Sequence, residues 1–292
     1  MLKHGHEKPQ NPSRVVVLGS QGFVGSHIVQ ELKNRGINVL ALSKHQLDLL
    51  DNGASANLLG YLKPEDALVV VSAIAPCKNN SQLLNNLKMI QAVTDALEKI
   101  TVSQIVYISS DAVYADQVSL ANESSKCEPS TLHGMMHSAR ELMLKATVKV
   151  PLAILRASLL YGLTDPHNGY GPNRFRRLVA EDKTITLFGE GEEKRDHIHI
   201  EDVAKIVALT LQHRSQGTLN IATGQSHSFR EVAEMIVSHS RKPITIQGTP
   251  RQNPITHRHF DITACHQAFP NFHYTALETG LIKIIQEEGA IA

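Results

Sequence analysis

Short apolar runs alternate with longer amphipathic segments through the first half of the chain. Residues 14–18, 37–42, 67–72, 105–109 and 152–155 are apolar stretches of strand length, and residues 23–35, 81–99 and 133–147 repeat apolar positions at helical spacing. A near-continuous apolar strand is one buried on both faces, and the intervening helices supply the crossovers that parallel neighbours need. The pattern therefore predicts an α/β chain: a Rossmann-like, doubly wound parallel sheet with helices on both sides. Gly36 follows the first helical run, where a glycine ends a helix.

The alternation breaks after Tyr161 and Gly162. Residues 164–173 are rich in Gly, Pro, Asn and Asp, which predicts a long loop. A dinucleotide-binding domain is expected over residues 14–162, with residues 197–224 returning to its sheet. Residues 163–196 and 225–292 are expected to form a smaller C-terminal substrate lobe. Residues 1–13, polar with two prolines and no apolar core, read as a disordered tail rather than a signal peptide.

Composition narrows the function classes. The 292 residues are 42% hydrophobic and 20% charged, as in a soluble globular protein. A net charge of +1 gives no electrostatic footprint for nucleic acid. Cys77, Cys127 and Cys265 are odd in number and far apart, which argues against a disulfide framework and for a reducing cytoplasm. No apolar run is long enough to span a membrane.

The first strand runs into Gly19-Ser-Gln-Gly22-Phe23-Val24-Gly25, at the start of a helix. In that setting one glycine permits a tight turn, a second lets the backbone approach a pyrophosphate, and a third lets helix and strand pack closely. The phosphates would lie on free N–H groups at the positive end of the helix. The second strand ends at Ser43-Lys44-His45. An NAD-selective site places an acid there for the ribose 2′-hydroxyl, whereas a lysine suits a 2′-phosphate, so Ser43 and Lys44 favour NADP over NAD.

Two further stretches extend the picture: Tyr107-Ile-Ser-Ser110-Asp111-Ala-Val-Tyr114, and Pro129-Ser-Thr-Leu-His133-Gly-Met-Met-His137. With the glycine turn they resemble the extended short-chain dehydrogenase/reductase family, of the epimerase/dehydratase type that modifies nucleotide-linked sugars. The likeness runs from Val15 to about Ile285. It implies that Asp48 and Leu49 hold the adenine, and that Ala73, Ile74, Ala75 and Asn86 line the cofactor. It also implies that Ser110 donates a hydrogen bond to the substrate oxygen, and that the protein is a homodimer. The acidic pair that similar dehydratases carry after this serine is here Asp111-Ala112, which weakens a dehydratase reading.

The chain departs from this family at its catalytic pair. Relatives carry Tyr-x-x-x-Lys, and the matching positions here are His133 and His137. Three readings follow. His133 substitutes as acid/base, since an imidazole exchanges protons near neutrality. Alternatively, the site is catalytically degenerate and the protein is a nucleotide-binding subunit or sensor. In the third, the two histidines, on one helical face, ligate a metal; but no Glu follows His133 and no third ligand is evident. No metal is therefore assigned. His137, shorter than lysine, implies weaker cofactor anchoring.

Phe188-Gly-Glu-Gly191-Glu-Glu-Lys-Arg195-Asp196 resembles the family stretch whose arginine pairs with the substrate diphosphate. That likeness adds Arg195, with Asn173 and Arg174 after the glycine-rich loop. A further diphosphate contact falls to Arg251 or Arg258, and Arg258 is carried into the candidate set. His197 and His199 alternate on one side of a strand-like run and read as structural. Leu159 stands where relatives often have an asparagine. The function expected from all this is NAD(P)-dependent reduction or epimerisation of a nucleotide sugar.

Overall fold

The chain alternates β1 (Arg14–Leu18), α1 (Phe23–Asn34), β2 (Val39–Leu42), α2 (Ala54–Tyr61), β3 (Asp66–Val70), α3 (Asn80–Leu97), β4 (Gln104–Ser110), β5 (Leu120–Ala121), α4 (Leu132–Thr147) and β6 (Leu152–Ala157). It continues through β7 (Leu159–Tyr161), α5 (Pro172–Ala180), β8 (Ile185–Phe188), β9 (Lys194–His199), α6 (Ile200–Gln212) and β10 (Gly217–Ile221). The last elements are β11 (Ser226–Ser228), α7 (Phe229–Ser240), β12 (Ile246–Thr249), β13 (His259–Phe260), α8 (Thr263–Ala268) and α9 (Leu277–Ile291). The structure, a computed structural model, describes residues 2–291.

Six strands form one parallel sheet in the order β10-β6-β4-β3-β1-β2. Strand alternation sends side chains to both faces, and both are buried. Val15, Val17, Ala67, Val69 and Val106 pack beneath α1 and α6. Val16, Leu18, Leu68, Val70, Ile105 and Tyr107 pack beneath α2, α3 and α4. The chain leaves β1 for β2 on one side and returns to β3 on the other. The order therefore reverses at β1, and a crevice opens beyond the carboxyl ends of β1 and β3.

A second core gathers α5, β8, α7 and α9 around Tyr161, Phe175, Leu187, Phe229 and Leu281. The small sheet β11-β9-β7 joins it to the main sheet. Asp196 is the tie. Its buried carboxylate accepts from the Ser158 hydroxyl (3.0 Å), Thr223 N and Oγ1 (3.0 and 2.9 Å) and Gly224 N (2.8 Å). Burial raises its pKa, and these donors offset part of that.

Two expectations need correction. Residues 2–13 are not a free tail: Lys3 and Gln216 exchange backbone hydrogen bonds of 2.8 Å, and the His4 ring stacks on His213 at 4.4 Å. β10 is an edge strand, and this segment covers the backbone at its start. The glycine-rich loop ends early, because Pro172 opens α5 at a position where its missing N–H costs nothing. Asn173 and Arg174 are therefore helical.

His197 and His199 are both buried. His199 caps α6 by accepting from Glu201 N at 3.4 Å. Neither ring nitrogen of His197 has a partner among the described residues. Burial, then His227 and Arg195, lower its pKa to about 3. The native ring thus stays neutral, while the unfolded one is protonated below about pH 6.5. Its contribution to stability is intact above that value and is lost as pH falls toward 3. Between pH 7 and 5 the wild type should lose about 2 kcal/mol more than His197→Phe. Urea midpoints at the two pH values measure this, and equal losses would contradict it.

Candidate active site

A cavity of about 670 Å³ occupies the crevice at the carboxyl ends of β1, β2, β3, β4 and β6. It is closed on the lobe side by Asp165, Pro166, His167 and Gly169. Its floor is the β1–α1 turn. Gly19 has φ +86°, and a Cβ there would lie 2.8 Å from the backbone of Ser72 at the end of β3. A Cβ on Gly25 would lie 2.1 Å from the Gly19 carbonyl oxygen. The turn can lie flat on β3, with α1 packed against it, only because both positions are glycine. Gly22 is the N-cap of α1, no side chain caps it and no acid occupies the first turn. The amides at the helix start remain open to an anion, so this cradle fits a dinucleotide pyrophosphate. Gly19, Gly22, Phe23 and Val24 line the cavity, and Gly25 acts through packing.

At the far end Lys44, Asp48 and Leu49 line the cavity, and Lys44 Nζ lies 3.3 Å from the Asp48 carboxylate. Ser43 does not line it. This side chain is buried, with its amide and hydroxyl both directed to Gln46 Oε1 at 2.8 and 2.6 Å. Ala73, Ile74 and Ala75 line the wall above β3. Asn86 stands behind that wall, fully buried. Its amide accepts from Ile74 N (2.9 Å) and donates to Ile74 O (3.0 Å), so it braces the loop rather than facing the cavity.

Ser110, the last residue of β4, lines the cavity; its hydroxyl accepts from Ala112 N at 3.1 Å and donates to Asp111 Oδ1 at 3.3 Å. Thr131 caps α4 by accepting from Gly134 N at 3.1 Å, which places His133 and His137 on the face of α4 toward the cavity. His133 Nδ1 accepts from Cys77 N at 3.4 Å. His137 is buried, with Nδ1 2.7 Å from the Tyr107 hydroxyl. The two rings meet edge to face at 4.8 Å. Burial, then the nearby His167, lower the His133 pKa. Burial, then His133 and Arg140, hold His137 well below its ordinary value. Both rings are therefore neutral at pH 7. Among the described residues no three potential ligands gather into a metal site.

The candidate substrate residues divide. Asn173 lines the cavity, but its amide is spent on Gly162 N (3.1 Å) and Leu160 O (3.0 Å). Arg174 is exposed at the start of α5. Arg195 donates to Thr256 O and Oγ1 at 2.5 and 2.9 Å. Arg258, buried, donates to the carbonyls of Asp111 (2.8 Å) and Ala115 (3.0 Å), which also accept from Tyr114 N and Val118 N in the turns after β4. Arg258 in this arrangement supports the Ser110 turn. Arg251 is engaged by Glu192 and Glu193.

Sequence reasoning missed the layer beneath the site. Tyr107 and Ser109 sit two apart on one face of β4, and both reach α4, Tyr107 to His137 and Ser109 to Glu141. Ser109 Oγ donates to Glu141 at 2.7 Å, and Arg156 closes on the same carboxylate at 2.7 Å. Arg140, fully buried, donates to Ser72 O (2.7 Å) and Asn86 Oδ1 (3.4 Å). Polar residues alternating on an otherwise apolar strand were the available signal.

The model of the NAD dependent epimerase/dehydratase family matches residues 15–222. An uncharacterized UDP-glucose epimerase, YtcB, of Bacillus subtilis is 23% identical over 80% of this chain and 84% of its own length. A dTDP-4-dehydro-6-deoxy-D-allose reductase of Streptomyces bikiniensis is 25% identical over 91% and 93%. The fold is similar to that of a Thermus thermophilus UDP-glucose 4-epimerase solved with NAD, with a TM-score of 0.82 at 21% identity, over 96% of this chain and 100% of the other.

The seating of α4 rests on Gly134. A Cβ there would lie 2.0 Å from Ala112 O and 2.7 Å from Pro129 Cβ. Alanine for glycine inside a helix ordinarily stabilises by about 1 kcal/mol. Here the overpacking should reverse the sign, costing about 1–3 kcal/mol in urea unfolding. A stabilised Gly134→Ala protein would mean that α4 does not press on the Ser110 turn.

Proposed function

The chain belongs to the NAD dependent epimerase/dehydratase family, and from that premise we propose that it is an NADP-dependent reductase of the keto group of a nucleotide-linked sugar. One observation carries the reading: the glycine turn, Ser110, His133 and His137 all line one cavity. The turn between β1 and α1 would hold the pyrophosphate, Lys44 the adenosine end, and His137 the nicotinamide ribose. When bound, the dinucleotide supplies or removes a hydride at the sugar carbon. Ser110 donates to the oxygen on which charge develops, and His133 delivers the proton. An epimerase would use the same groups in both directions and would keep its cofactor between turnovers. NADP is favoured because no acid ends β2 and Lys44 lies there.

A second role for His133 has its own support. Because Nδ1 accepts from Cys77 N, the neutral ring presents Nε2–H to the cavity. Such a ring polarises a carbonyl without itself losing a proton. The pH profile separates the two roles. As an acid, His133 must be protonated, and its lowered pKa makes that form scarce at neutrality. Reductase kcat/KM then rises as pH falls, by up to about tenfold per unit above the pKa. As a neutral donor it gives a rate that is flat above the pKa and does not rise as pH falls.

His133→Phe should lower kcat by about 10²–10⁴-fold as an acid. An unchanged rate removes His133 from the chemistry. A wild type that binds dinucleotide yet reduces no nucleotide-linked keto sugar would favour the catalytically degenerate nucleotide-binding subunit or sensor. Separately, Lys44→Ala should weaken NADPH roughly tenfold and leave NADH nearly unchanged in fluorescence titration. Equal losses for both would contradict the NADP preference.

A further inference from the structure

We propose that Tyr107 is a positioning residue: its hydroxyl fixes His137 as the Nε2–H tautomer, so that one neutral donor faces the cofactor ribose. The inference rests on the reading of the cavity as a dinucleotide site.

Tyr107 lies on β4, three residues before Ser110, on the sheet face that α4 covers. The residue is buried, and among the described residues His137 Nδ1 is the one hydrogen-bond partner of its hydroxyl, at 2.7 Å. A buried O–H must donate to something, and the lone pair on Nδ1 is what it can reach. A proton on Nδ1 would make the phenolic oxygen the acceptor and leave the buried phenolic proton without one. The ring proton is therefore on Nε2. Burial pushes the tyrosine pKa up to about 12, so the phenol keeps its proton throughout the neutral range.

The surroundings also keep His137 uncharged. His133 meets it edge to face one helical turn earlier, and Arg140 follows three residues later on α4. The Arg140 guanidinium lies 5.3 Å from the centre of the Tyr107 ring and has no carboxylate among its hydrogen-bond partners in the described residues. A second cation at His137 would be buried beside it. Two properties that a lysine at position 137 would combine are thus divided: His137 presents the donor, and Arg140, behind the Ser72 and Asn86 wall, holds the charge. Without Tyr107, the His137 tautomer would be free to exchange, and part of the population would turn an acceptor toward the ribose hydroxyls.

The test is a long-range ¹H–¹⁵N correlation spectrum of histidine-labelled protein without cofactor or substrate. His137 should show an unprotonated Nδ1 and a protonated Nε2, unchanged between pH 8 and 5.5. A wild-type ring protonated at Nδ1, or cationic at pH 7, overturns the proposal. Tyr107→Phe should yield mixed tautomers and weaken dinucleotide binding about twofold to tenfold. In a His137→Ala background the same change should leave the affinity where it was, because Tyr107 acts through that ring. Equal weakening in both backgrounds would reduce Tyr107 to a packing residue. The spectrum needs no turnover, so failure of the reductase reading and failure of this one remain separate results.

Discussion

The site depends on how α4 is seated against β4. Two polar rungs join them, Tyr107 to His137 and Ser109 to Glu141. Both are buried, and Gly134 lets the helix approach the turn that follows Ser110. A shift of α4 along the strand would break both rungs together and leave four polar groups unpaired. The rungs therefore set register more than they add stability. The Glu141–Arg156 pair follows the same logic. Burial raises the Glu141 pKa, while Arg156 and Ser109 more than offset it, so the carboxylate stays charged and in place. Replacing such a pair with apolar side chains need not cost stability, but removing one partner strands a buried charge.

The walls of the cavity are also held from behind. The wall after β3 and the Ser110 turn are each braced by groups outside the cavity. Asn86 and Arg140 hold the wall after β3, and Arg258 holds the carbonyls after β4. None of these braces is made by the side chain of His133 or His137. Asp196 does the same for the lobe, tying β9 to the segments after β6 and β10.

The sheet and the glycine turn were legible in the sequence because each rests on a local pattern. Apolar runs such as Val15-Val16-Val17 have one stable place, buried on both faces, and Gly19 and Gly25 stand where any Cβ would collide. What remained hidden was which polar residue faces the cavity and which supports it from behind. Asn86, Ser43 and Arg258 share a motif position with residues expected to face ligand, yet their hydrogen bonds are spent on the backbone or on neighbouring side chains. Motif spacing fixes where a residue lies along the chain, and partner geometry decides where its side chain points. The ordered N-terminal segment escaped for a similar reason: polar, proline-containing sequence carries no signal of the β10 edge that it covers.

The central claim is that this cleft moves a hydride between a nicotinamide and a sugar carbon, with histidine in the place of tyrosine. Transfer of label tests it most directly. The protein would be given NADPH deuterated at the transferring position of C4 and a set of nucleotide-linked 4-keto sugars, and the sugars would be analysed by mass spectrometry. The account predicts one deuterium on the former carbonyl carbon of at least one sugar. Binding of both partners with no deuterium in any sugar would contradict it.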